Sequence, residues 1–311
     1  MKIFKYLSPD RIDVLENKSI RFTQARYLND PFESLPFISK LMNEIESSIL
    51  YQESIFPIID EIGDQKLSIN DIPKEYIDQI PKEVIDLIST ITIKDGLELI
   101  PEIHPENLAK KLFSSNTEQI KINYSEKLKE CWNKYFGILS LTQTNDNITM
   151  WSHYAQNHEG FVIEFDSENE FFNKKRNKND SLGYLREVKY TVERPNMELI
   201  SFQGSENEFI EHIISNILYN KSQKWSSEQE LRLIYNLKNS NKKLIVNEQE
   251  IFLFNFPTSA IKNIFIGVNA TNILKNKLEN IIKLKDYSHV KIKYGELDLK
   301  DYKLQFKNSR L

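Results

Sequence analysis

The chain has 311 residues, with 41 Lys+Arg against 45 Asp+Glu, a formal charge of −4, one Cys, 8 Gly, 18 Phe and 14 Tyr. At that length it can bury a large core as one big domain or two ordinary ones, and 40% hydrophobic with 28% charged residues is a globular balance. The lone Cys131 excludes an internal disulfide scaffold and cysteine-rich zinc modules, and the near-neutral charge argues against a long nonspecific grip on nucleic acid while leaving room for a local basic patch. Neither GxGxxG nor GxxxxGK[ST] occurs, so no glycine loop is available to cradle phosphates. No segment approaches the roughly 20 apolar residues of a membrane span, and the N-terminus lacks a signal-peptide core, so a cytoplasmic protein with no membrane contact is expected.

In chain order, Ile3, Phe4 and Tyr6 predict a short strand, Ser8 and Pro9 a helix start, and Ile20 and Phe22 alternating with Arg21 and Thr23 a half-buried strand. Asn29, Asp30 and Pro31 then break regular structure. From about Leu35 to Lys134 the pattern turns to long helical stretches punctuated by prolines, including one with Leu128, Trp132 and Phe136 on a single face. Residues 35–134 are therefore expected to be a helical insertion in an α+β core made of 1–34 and 135–311. After it, FGILSLTQ reads as a buried strand and ITMWSHYAQNHEG as a short helix stopped by a left-handed Gly160. FVIEFD and LREVKYTV follow as strands, then a helix in EFIEHIISNILYNKS and a strand from about Glu230. FLFNFP, IKNIFIGVNA, the helix TNILKNKLENIIKL and the strand VKIKYGEL complete a mixed or antiparallel sheet.

Polar and aromatic residues gather in three segments. LNDPFES holds Asn29, Asp30 and Glu33 on a rigid turn, where binding groups are often mounted or where they only shape the turn. MWSHYAQNHEG packs Trp151, His153, Tyr154 and His158 into two helical turns; helical spacing puts Trp151, Tyr154 and His158 on one face, suited to stacking on a planar ring. KWSSEQELRLI carries Trp225, Glu228, Glu230 and Arg232 across a turn into a strand, with Glu230 and Arg232 on the same face by period-two geometry. A carboxylate held against an arginine stays ionised near neutral pH, as an ion pair or as a stabiliser of developing positive charge.

Together these segments resemble the bacterial family of unknown function DUF2971, whose pattern stands here as Lys5-Tyr6, Asn29-Asp30-Pro31-Phe32-Glu33, Trp151 to Gly160 and Trp225 to Arg232. The resemblance runs from the first strand to the last helix and leaves out Leu35 to Lys134. More distantly, the opening IFKYLSPDRIDVLENKSIRFT is similar to mono-ADP-ribosyltransferase folds. That similarity implies NAD as substrate, no metal, and a protein or nucleic-acid acceptor. It gives Lys5 or Tyr6 the place of the usual first-strand His or Arg, and makes Trp151 and Tyr154 the walls of the nicotinamide pocket. Glu228-Gln229-Glu230 becomes an [EQ]-x-E element. In it Glu230 is the carboxylate near the ribose, Glu228 orients the acceptor, Arg232 and Lys5 hold the pyrophosphate, and His153 sets hydrogen bonds within the wall. Asn29, Asp30, Glu33 and Trp225 are then substrate-site or structural residues.

An intracellular transferase of this kind suggests a toxin or anti-phage effector whose helical insertion contacts a partner. Two other classes fit the same residues. Asp30, Glu33, His153, Glu230 and His158 are the ligand types of a metal-dependent nuclease or hydrolase, although no HExxH-like spacing joins them. A non-catalytic sensor binding a nucleotide or a protein is the other.

Overall fold

The computed structural model describes residues 1–40, 61, 64–66, 92, 118–175, 182–198 and 206–308. The chain begins β1 (Lys2–Leu7), α1 (Asp13–Glu16), β2 (Ser19–Phe22) and β3 (Phe37–Lys40), and continues with α2 (Glu118–Tyr135), β4 (Phe136–Thr142), α3 (Ile148–Tyr154) and β5 (Phe161–Asp166). Short strands β6 (Arg186–Glu187), β7 (Lys189–Thr191) and β8 (Asn196–Glu198) lead to α4 (Glu206–Leu218), β9 (Asn220–Ser222) and β10 (Glu230–Asn236). β11 (Lys242–Val246), β12 (Gln249–Asn255), β13 (Ile261–Ile266), α5 (Asn272–Ile282), β14 (Lys291–Leu297) and β15 (Leu304–Lys307) follow.

Eight strands form an open sheet in the order β15-β14-β13-β5-β1-β4-β10-β6. Every neighbouring pair is antiparallel except β13–β14, which α5 joins as a parallel crossover. The crossover helix forms because Thr271 caps it, its side chain accepting from the Leu274 amide at 3.3 Å, and because Leu274, Leu278 and Ile281 recur on one face and bury it. A second sheet, β11-β12-β2, lies against the first. Phe22 of β2 stacks on Tyr235 of β10, with ring centroids 4.9 Å apart and planes 7° from parallel, and meets Phe254 of β12 at 4.5 Å. Such ring pairs contribute about 0.5–1.5 kcal/mol beyond the area they bury. The expected α+β class with a mostly antiparallel sheet is thus the one observed.

One seam in the large sheet positions the site. All six residues of β1 pair with β5, from Lys2↔Asp166 to Leu7↔Phe161. Its pairing with β4 is confined to Phe4↔Thr142. Beyond that point β4 bonds instead to the end of β2, Thr23 and Ile138 exchanging backbone hydrogen bonds of 2.8 Å each way. β1 and β4 therefore diverge, and a cavity opens between them.

By internal contacts the chain divides into two units, Met1–Pro36 with Glu126–Pro195 and Ser205–Leu311, and Phe37–Ser125 with Asn196–Gly204. In the second unit β3 and β8 pair in parallel. Most of the expected helical insertion lies outside the described residues. Within the described part, α2 is helical as its spacing predicts but ends at Tyr135, so Phe136 opens β4 instead of completing the helix face. Phe37–Lys40 is a strand, not the start of a helical stretch, because Phe37 and Ile38 pair with Asn196 and Met197.

The stop of α3 also differs from expectation. The helix ends at Tyr154, and left-handed Gln156, Asn157 and His158 (φ +47°, +51° and +67°) turn the chain. Among the described glycines only Gly183 has a positive φ. Gly160 is required for a different reason: a Cβ there would sit 2.1 Å from the carbonyl oxygen of Leu7. No described helix is long and apolar enough to cross a membrane.

Candidate functional site

The cavity at the seam has a volume of about 280 Å³ and takes its walls from β1, β2, β4, α3, β9 and the turn into β10. The chemistry of its carboxylate side comes from one local conformation. Gln229 adopts φ +45°, ψ +51°, left-handed and uncommon for a residue with a Cβ. This kink separates Glu228, the last residue of a 3₁₀ turn, from Glu230, the first of β10, and both line the cavity. Thr142 fixes the turn by donating its hydroxyl to the Glu228 carbonyl at 2.6 Å, and the Glu230 amide donates to Tyr190 Oη at 2.8 Å.

Lys221 of β9 joins the two glutamates, its Nζ donating to Glu228 Oε2 at 2.7 Å and to Glu230 Oε2 at 2.9 Å. Arg232 lies behind them, wholly buried. Its Nε donates to Glu230 Oε1 at 2.8 Å, its Nη2 to Glu230 Oε2 at 3.1 Å and to Glu33 Oε1 at 2.5 Å, and its Nη1 to the Leu218 carbonyl at 2.5 Å. On the other flank Tyr154 donates its hydroxyl to Glu228 Oε1 at 2.6 Å and accepts from Asn29 Nδ2 at 2.6 Å. Asn29, Glu33, Tyr154, Lys221, Glu228, Glu230 and Arg232 thus form one network drawn from four separate stretches of the chain.

Its ionisation follows from burial set against these partners. Burial alone would raise the Glu230 pKa, but Arg232 and Lys221 reverse that and hold it well below the usual carboxylate range. Glu33 is raised: its burial outweighs the pull of Arg232, and its Oε2 has no hydrogen-bond partner among the described residues. Burial opposes the charge on Lys221, yet Glu230, Glu33 and Glu228 together keep its pKa above normal. Tyr154 is raised, first by burial and then by its bond to Glu228, so it stays a proton donor.

The opposite wall is cationic. Lys5 donates to the Ser140 carbonyl at 2.9 Å, bonding β4 at the point where the β1–β4 ladder has stopped. Its pKa falls to about 8, first because it is buried and then through Arg11, against the opposing pull of Glu230. Arg11 and Arg21 line the same wall.

The sequence-chosen residues divide between cavity and core. Lys5, Tyr6, Asn29, Glu33, Tyr154, Glu228 and Glu230 line the cavity. Trp151 does not: it is 0% exposed, donates its indole N–H to the Asn145 carbonyl at 2.8 Å and packs edge-on behind Tyr6 at 5.4 Å, so it supports the wall without facing a ligand. Arg232 is closed off by the two glutamates it bonds and has no free face for a pyrophosphate. His153 is exposed and outside the lining. His158, beyond the helix end, lies parallel to Trp151 at 6.1 Å. Asp30 is buried and caps its own turn, accepting from the Phe32 amide at 2.9 Å. Trp225 is also outside the lining and carries Lys221 Nζ over its ring at 5.0 Å. Reading from residues missed Lys221, Arg21 and Arg11. Lys221 sits in YNKSQKW with no periodic pattern to mark it, and Arg21 alternates with core residues as any solvent-facing strand residue would.

The model of the family described as "Protein of unknown function (DUF2971)" matches residues 150–233. The match spans two of the four motifs on which that resemblance was drawn, Trp151 to Gly160 and Trp225 to Arg232, and so includes Tyr154, Lys221, Glu228 and Glu230 of the cavity. No curated protein and no solved structure matches the chain.

Proposed function

We propose that the seam cavity is the site of an ADP-ribosyltransferase-like enzyme that uses NAD to modify a macromolecular acceptor. The observation that carries this reading is the pairing of Glu228 and Glu230 on one wall, bridged by Lys221 at 2.7 and 2.9 Å and flanked by the Tyr154 hydroxyl. Transfer breaks the bond between the nicotinamide nitrogen and ribose C1′, and the electron pair leaves with nicotinamide, which becomes neutral. The ribose passes through an oxocarbenium-like state that a fixed carboxylate stabilises. Glu230 supplies that charge because Arg232 and Lys221 hold it ionised. The acceptor's lone pair forms the new bond to C1′, and Glu228 takes its proton. Tyr154 and Tyr6, not Trp151, supply the aromatic side of the cavity. An effector role as a toxin or in anti-phage defence accords with such chemistry.

The test incubates the protein with NAD labelled in the adenylate part and a cell extract, following label transfer and nicotinamide release. Glu230→Gln should lower both by about 100-fold or more, the usual size of losing one preorganised charge-stabilising group. Glu228→Gln should reduce transfer more than release. Wild-type protein that releases no nicotinamide, or a folded Glu230→Gln variant as active as wild type, would refute the reading. A binding site without catalysis is the second reading, and a specific feature favours it: both Glu230 oxygens already accept from Lys221 and Arg232.

A further inference from the structure

We propose that Arg21, Arg11 and Lys5 form a phosphate-binding lobe of the seam cavity, specific for the phosphate groups of a nucleotide. Arg21 is placed by β2: Ile20 and Phe22 on either side of it are buried in the core, which turns its guanidinium toward the cavity. There its Nε and Nη2 are both shut off from water and have no hydrogen-bond partner among the described residues. Desolvated donors of an arginine are costly to leave unmade, so an anion from outside the chain is the missing partner. The other members of the lobe are similarly underused. Lys5 has three donor hydrogens and one bond, to Ser140 O. Arg11 engages Asp13 Oδ1 through Nε at 3.1 Å. Among the described residues neither Lys5 nor Arg21 makes an ion pair.

The contrast across the cavity sharpens the point. Lys221 and Arg232 are each bonded to two carboxylates, whereas among the described residues Lys5 and Arg21, which line the same cavity with Arg11, have no carboxylate at ion-pair distance. Arg11 works against the charges of both Lys5 and Arg21, a mutual repulsion that a bound anion removes. A planar guanidinium with Nε and one terminal nitrogen unpaired presents the two-pronged edge that matches adjacent phosphate oxygens. The lobe rests on the transferase reading only in setting the rest of the nucleotide toward the glutamates; the phosphate contact stands without it.

The test is calorimetric titration of the full chain with ADP-ribose, AMP, adenosine, inorganic pyrophosphate and inorganic phosphate at one fixed ionic strength. ADP-ribose should bind at least about 10-fold more tightly than adenosine, and Arg21→Gln should weaken ADP-ribose by about 10-fold or more while leaving adenosine unchanged. Arg21→Lys should fall between, since it keeps the charge but not the fork. Arg21→Gln should leave the thermal midpoint unchanged or higher, because the removed donors have no partner to lose; a purely structural arginine would lower it. Pyrophosphate bound more tightly than inorganic phosphate identifies a dinucleotide's bridge, and equal binding identifies a monophosphate. Adenosine binding as tightly as ADP-ribose, or unchanged ADP-ribose affinity in Arg21→Gln, overturns the proposal. Phosphate binding without nicotinamide release removes the transferase reading and keeps the lobe; release insensitive to Arg21 does the reverse.

Discussion

Replacing Arg232 by Met tests whether this residue is the internal counter-ion of the carboxylate network. Met keeps much of the side-chain length but removes four hydrogen bonds, three of them to Glu230 and Glu33 and one to the Leu218 carbonyl. The gross value of those bonds is larger than the net effect, because burying the guanidinium was itself costly. Removing one partner of a buried pair typically costs about 3–5 kcal/mol. At about 2–4 °C per kcal/mol, the thermal midpoint should fall by roughly 10 °C. The pH dependence identifies the cause. In wild type, Glu230 has a depressed pKa, so its contribution is present above the ordinary carboxylate pKa and is lost as pH falls through the folded value. Without Arg232, Glu230 keeps only Lys221 as its counter-ion and the already raised pKa of Glu33 rises further, so the cost of the two buried carboxylates grows as pH rises past about 4.5. The gap between the proteins should be wide at neutral pH and narrow toward pH 5. Glu33→Gln added to the variant should recover part of the loss. Urea unfolding of the single and double variants across that pH range measures all of this. A gap that does not change with pH, or no recovery by Glu33→Gln, would refute the counter-ion role.

Two further predictions rest on backbone packing and on the cationic wall. Gly160→Ala should cost about 3 kcal/mol in urea unfolding, since its methyl group would lie 2.1 Å from the Leu7 carbonyl and backbone cannot step aside; an unchanged midpoint would show that β1 and the turn after α3 do not pack as described. Lys5 has a folded pKa of about 8, below the ordinary 10.5, so the unfolded chain binds more protons between those values and wild type gains stability as pH rises through that window. Lys5→Met should therefore be more stable than wild type at pH 7, with the difference shrinking toward pH 10; equal pH profiles would contradict it.

What could be read from residues was whatever depended on local spacing. The alternation of Phe161, Ile163 and Phe165 and of Leu231, Leu233 and Tyr235 marked β5 and β10, and the same period put Glu230 and Arg232 side by side. The site was legible in its carboxylates and in Tyr154, which sit in dense polar clusters. It was not legible in Lys221, because the meeting of β9 with the β10 turn is a tertiary event with no sequence period. Trp151 was misplaced for a physical reason: a large ring at a helix position that faces the sheet is drawn into the core, where it packs against Tyr6 and Phe306. Arg232 was misplaced because a strand position two residues from a glutamate looks the same whether the pair faces a ligand or the interior.

The single registered pair between β1 and β4 has a mechanical meaning. A full ladder would lock two strands at about 4.8 Å along their whole length. Here the halves β15-β14-β13-β5-β1 and β4-β10-β6 are stitched at Phe4 and Thr142, and beyond that stitch their separation is held by side chains, first of all the Lys5 amine on Ser140. The lysine that bridges this gap also lines the cavity, so the bond across the opened ladder and the cationic part of the lining belong to the same ammonium group.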